Sequence, residues 1–148
     1  MENFSNKIDG VILSPQKIIN TVGGNVLHVI KNQDKTFSGF GEAYFSLVNN
    51  GVVKGWKRHT KMIMNLVVPI GEIQFVIFDD RKNSKTYKNY QEIILSIDNY
   101  CRLTVPPMLW IAFKGKGDQM NILLNVANIQ HSTDEVENKS LESIPFVW

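Results

Sequence analysis

The sequence predicts an all-β chain, folded as a sandwich or barrel of short strands. Three observations carry this. Val, Ile, Phe and Tyr dominate the ordered stretches, turn residues interrupt them often, and helical periodicity is scarce.

Taken in order, "GVILS" (10–14) and "GNVLHVIKN" (24–32) read as strands, the second with partial alternation. "FGEAYFSLV" (40–48) reads the same way, and "NNG" (49–51) predicts a hairpin-type turn after it. "NLVVPIGEIQFVIFDDR" gives two strands around Pro69, Ile70 and Gly71, because proline belongs at a strand end or edge. "QEIILS" (91–96), "CRLTVPP" (101–107), "LWIAFKG" (109–115) and "MNILLNVANI" (120–129) continue the pattern. Two segments predict short helical turns near the chain ends. "SPQKIINTV" (14–22) offers Ser14 as N-cap and Pro15 at the first helical position, and "TDEVENKSLES" (133–143) offers a second turn.

The 148 residues fit one domain spanning 1–148, and a hydrophobic fraction of 43% supplies a proper core. A net charge of +2 leaves no broad basic face of the kind that grips nucleic acid. The single cysteine, Cys101, rules out a disulfide framework within the chain. "MENFSNKIDG" lacks an apolar run of signal length, and no segment approaches the ~18 apolar residues of a membrane span. The expectation is a soluble cytoplasmic protein with no membrane partner.

From Gly71 onward, a series of short motifs follows in a recognisable order. "GEIQFVIFDDR" (71–81) is followed by "SKTYK" (84–88), "EIILSIDN" (92–99), "LTVPPML" (103–109) and a closing "LESIPFVW" (141–148). Upstream lies "FGEAY" (40–44). The series resembles the dTDP-4-dehydrorhamnose 3,5-epimerase family, the cupin-fold epimerases of deoxysugar biosynthesis. The resemblance spans nearly the whole chain. It implies a cupin, or double-stranded β-helix (jelly-roll), barrel. It also implies a homodimer in which N-terminal strands exchange between subunits.

Departures fall where the resemblance places the chemistry. An ungapped match sets "KGWKRH" (54–59) on the family's R-G-L-H-F-Q, so Lys57 takes the histidine position and His59 follows two residues later. Ile111 stands where a second histidine is expected, and "LLNVANI" (123–129) lacks the family's acid tyrosine. Epimerisation next to a ketone needs a base near neutral pKa and a donor to the developing enolate. Histidine supplies such a base readily, and lysine does so only when its surroundings depress its pKa.

The candidate catalytic residues are therefore Lys57 and His59. If 54–60 is a regular strand, Gly55, Lys57 and His59 share one face and Lys54, Trp56 and Arg58 the other. Among the remaining cations Lys54 joins the substrate-binding set, and Arg58 or Lys61 would hold phosphate. Glu42 matches a carboxylate that the resemblance assigns to the nucleotide base. Trp110 would stack on a ligand or fill the core, and Asn65 and Asn125 are amides on apolar strands that need partners. Arg81 is expected in a salt bridge with Asp79 or Asp80. His59 has no H-x-H partner, so no metal site and no cofactor are expected.

Two functions remain. One is an isomerase or epimerase acting on a dTDP-type 4-keto-deoxysugar in cell-surface polysaccharide biosynthesis. The other is a sugar-nucleotide-binding or accessory protein on the same scaffold. For Lys57→Met and His59→Asn, the expected stability change is below about 1 kcal/mol, as for sites outside a packed core.

Overall fold

Apolar runs bounded by turns become strands here because each pairs with a distant run. The computed structural model describes residues 7–148; residues 1–6, part of the stretch read above for a signal, lie outside the described residues. The strands are β1 (Ile12–Pro15), β2 (Ile18–Ile19), β3 (Val26–Leu27), β4 (Glu42–Leu47), β5 (Val53–His59) and β6 (Met64–Ile70). They continue as β7 (Glu72–Phe78), β8 (Tyr90–Ser96), β9 (Cys101–Val105), β10 (Trp110–Gly115), β11 (Ile122–Ala127) and β12 (Val136–Asn138).

Two five-stranded sheets result, with orders β1-β9-β6-β11-β4 and β12-β5-β10-β7-β8, plus a small β2-β3 pair. Every pairing between named strands is antiparallel. From β4 to β12 the chain changes sheet at each connection except β7–β8. That winding is the jelly-roll barrel expected of a cupin.

Local turn chemistry gave two expectations that the fold corrects. Residues 49–51 form no hairpin, because β4 and β5 belong to different sheets. The segment 14–22 holds no helical turn. Ser14 and Pro15 instead pair with Arg102 and Cys101, and Ile18 and Ile19 pair with Leu27 and Val26. Pairing with a neighbouring strand outweighs a helix-start signal in so short a segment. Near the other end, 133–143 holds strand β12 and, after it, a 3₁₀ turn (Leu141–Ser143).

Gly71 makes the β6–β7 crossing possible. Its φ of +80° favours glycine, and a Cβ there would lie 2.3 Å from Asn121 Oδ1.

The core lies between the sheets. Ile73, Phe75 and Ile77 of β7 face Leu66, Val68, Leu103 and Val105. A second cluster covers the outer side of the second sheet. There Trp56, Val76, Trp110 and Ala112 pack under Ile144, Phe146 and Trp148. Burial on both faces explains why residues 75–78 of β7 read as an unbroken apolar run. Arg81 pairs with buried Asp79, which also accepts hydroxyl bonds from Ser84 and Thr86. Burial pushes the Asp79 carboxyl up, but these bonds outweigh it and hold it well below the usual carboxylate range.

Candidate active site

A cavity of about 540 Å³ opens between the sheets beside the core. Lys54, Lys57, His59, Ile111 and Phe113 line it from the second sheet. Tyr44, Ser46, Met64, Leu66, Leu123 and Asn125 line it from the first, and Asn138 and Leu141 from the C-terminal segment.

Strand β5 carries the cations. Lys57 pairs with Ile111 and Arg58 with Trp110, so Lys57 and His59 turn inward while Arg58 turns out. A register shift between Ile111 and Phe113 then places Lys54 opposite Phe113. This bulge brings Lys54 onto the cavity wall, where uninterrupted alternation would have put it with Trp56 and Arg58. The Lys54 ammonium donates to the Leu47 carbonyl at 2.8 Å. Among the described residues, no carboxylate lies within ion-pair distance of Lys57.

His59 is 4% exposed and its Nδ1 lies 2.5 Å from Glu135 Oε1. Glu135 is equally buried, and its other oxygen accepts the backbone N–H groups of Lys61 and Met62, each at 3.2 Å. Burial raises the Glu135 carboxyl, but the His59 bond and the two amides outweigh it, and the net shift is downward. A carboxylate against Nδ1 orients the ring and leaves Nε2 as its second polar atom. The sequence reading named His59 but not Glu135. No local pattern marks that residue, which is 76 positions away.

Asn125 is 1% exposed. Its Oδ1 accepts the Asn65 N–H at 3.2 Å, and its Nδ2 donates to the Tyr44 hydroxyl at 3.0 Å. Tyr44 is the second residue that sequence reasoning missed. Only the β4–β11 register, with Asn125 opposite Tyr44, reveals it.

Five expected ligand contacts do not line this cavity. Arg58 pairs with Asp80 at 2.9 Å and Glu137 at 2.7 Å on the outer side, 4.6 Å above the Trp110 ring. Trp110 is in the outer core and donates to Asp80 at 2.9 Å. Asn65 points out of the first sheet, accepting from Thr104 and donating to the Thr36 carbonyl. Glu42 accepts the His131 N–H at 2.9 Å at the head of β4. Lys61 is exposed in the turn after β5 and contributes its backbone amide to Glu135. Strand alternation is the common cause for Arg58, Trp110 and Asn65. Among the described residues, no group of three or more His, Cys, Asp or Glu side chains is arranged to hold a metal ion.

A solved dTDP-sugar isomerase of Desulfovibrio desulfuricans G20 superposes with a TM-score of 0.92 and 38% identity, over 95% of this chain and 92% of that one. The chain belongs to the dTDP-4-dehydrorhamnose 3,5-epimerase family of dTDP-sugar isomerases and epimerases. The dTDP-4-dehydrorhamnose 3,5-epimerase of Sulfolobus tokodaii is 25% identical with a TM-score of 0.81, over 93% of this chain and 81% of that chain. The probable low-salt glycan biosynthesis epimerase of Haloferax volcanii is 30% identical over 105 residues, 70% of this chain but only 65% of its own length. No family model matches the chain. Within this family the chain keeps the fold, with Lys57 and His59 on one wall of the cavity and Asn125 on the other.

Proposed function

We propose that this protein is an isomerase or epimerase acting on a dTDP-type 4-keto-deoxysugar in cell-surface polysaccharide biosynthesis. The His59–Glu135 pair inside a cavity edged by lysines carries this reading. Relatives that are named for dTDP-sugar isomerisation and glycan epimerisation support the substrate class. A cytoplasmic place of action goes with it, and no described helix is long and apolar enough to cross a membrane.

The geometry supports the following reaction. His59 Nε2 removes the proton from the carbon beside the ketone. The C–H pair becomes the enolate double bond, and the carbonyl π pair moves to oxygen. Lys57 stabilises that oxygen, and Glu135 stabilises the imidazolium through Nδ1–H. Lys54, three residues before Lys57 and turned to the same wall by the bulge, meets the diphosphate. A proton returned to the carbon completes the turnover, and no cofactor is required for it.

The test is solvent exchange. Incubated with dTDP-4-dehydro-6-deoxyglucose in deuterium oxide, the protein should place deuterium on the carbon adjoining the ketone, read by NMR. Binding without exchange would leave only an accessory, sugar-nucleotide-binding role. Lys57→Met should weaken sugar-nucleotide binding roughly tenfold, about 1.4 kcal/mol, measured by calorimetry. Unchanged affinity would place the anion elsewhere in the cavity.

A homodimer belongs to the same reading. Phe45 and Leu47 of the edge strand β4 are 65% and 55% exposed, an apolar edge suited to a second copy. Light scattering at working concentration should give twice the chain mass, and a monomer would remove this part of the proposal.

A further inference from the structure

We propose that Tyr44 is the proton donor of this site, working from the wall opposite His59. The inference rests on the reaction class proposed above and identifies a residue for its second half.

The two walls differ in chemistry. His59 and the lysines come from the second sheet, and Tyr44 and Asn125 from the first. A substrate ring held between the sheets therefore meets the base on one face and the phenol on the other. The first-sheet wall otherwise offers Met64, Leu66 and Leu123, which have no proton to give, and the Ser46 hydroxyl. An aliphatic hydroxyl is a far weaker acid than a phenol, whose ordinary pKa is near 10.

The Tyr44 oxygen is set up to donate. Asn125 Oδ1 is committed to the Asn65 N–H, which fixes the amide so that Nδ2 points at the phenol. The phenol oxygen is then an acceptor in that bond, and its own hydrogen is free to point into the cavity. The same amide N–H remains in place to hold the oxygen when it becomes negative. Buried Asn125 thus acts as a positioning residue. Tyr44 itself is 39% exposed, so solvent can replace the proton after each turnover.

The step balances. The enolate double bond supplies the pair that forms the new C–H bond to the Tyr44 proton. The charge pair on the enolate oxygen restores the carbonyl. The phenolate takes a proton from water, and the imidazolium of His59 returns its own to water. Donation from the opposite wall inverts the carbon.

The experiment separates exchange from inversion, using dTDP-4-dehydro-6-deoxyglucose in deuterium oxide. Tyr44→Phe should keep deuterium incorporation with retained configuration within about threefold of the parent, because His59 can return a proton to its own face. Inverted product should fall about 100-fold or more, the range of a lost general acid. Ser46→Ala should leave both rates within about threefold. Inverted product at the parent rate in Tyr44→Phe would overturn the assignment. So would equal loss of exchange and inversion, which marks a binding role. A parent protein that exchanges no deuterium would overturn the reaction class itself, and this assignment with it.

Discussion

His59→Asn is expected to slow deuterium exchange into the sugar by about 10²–10⁴-fold, the contribution of a positioned general base. Among the described residues that line the second-sheet wall, the imidazole is the one paired with a buried carboxylate. Lys57 shares that wall and, among the described residues, has no carboxylate within ion-pair distance, which suits it to holding negative charge. A His59→Asn variant that exchanges at the parent rate would move the base to Lys57 and invert their roles. The stability cost also differs from the sequence expectation. His59 is buried and its loss strips a partner from buried Glu135, so the cost rises to about 1–3 kcal/mol. Glu135→Gln should be slow for a related reason, since an amide can accept from Nδ1–H but cannot balance an imidazolium.

The Glu135 carboxyl adds a pH signature. Its folded pKa lies below the ordinary 4.5, so it stabilises the fold fully above that value. The contribution disappears as pH falls through the lower, folded value. Below pH 4.5 the parent should therefore lose stability more steeply than Glu135→Gln, as urea midpoints against pH would show.

Trp56→Ala is expected to lower the unfolding free energy by about 3–5 kcal/mol, the cost of a large cavity in a packed core. Trp56 is fully buried, donates to the Ile144 carbonyl at 3.2 Å and lies 6.3 Å from the Trp148 ring. Its removal unseats the C-terminal segment along with the core beneath it. Phe146 and Tyr90 continue that contact, and Tyr90 bonds the Pro145 carbonyl. The melting midpoint should fall on the order of 10 °C. A loss under about 1 kcal/mol by urea titration would mean that residues 144–148 do not rest on Trp56. Because Trp56 sits between Lys54 and Lys57, the same variant should also loosen the lysine wall.

The legible parts of the site were those that obey local periodicity. A period of two puts Lys57 and His59 on one face and Trp56 and Arg58 on the other, and the structure keeps both pairs. Asn125 was legible as an amide on an apolar strand that needed a partner. Arg58, Trp110 and Asn65 were named for ligand contact but lie on faces turned away from this cavity. Where both faces of a sheet are covered, as here, the charge and size of a side chain do not by themselves fix which side it occupies.

By itself the sequence determined the β architecture, because alternating and unbroken apolar runs can bury their faces only as paired strands. It also placed a lysine and a histidine two residues apart on one strand. The tertiary structure alone decided the rest. Glu135 reaches His59 across 76 residues, and Asn125 reaches Tyr44 across 81. Lys54 joins the cavity only through an extra residue in β5, a bulge that shows in its register with β10. Backbone propensity acts over a few neighbouring residues. These contacts instead depend on which strands pair, in which register, and which sheet covers them.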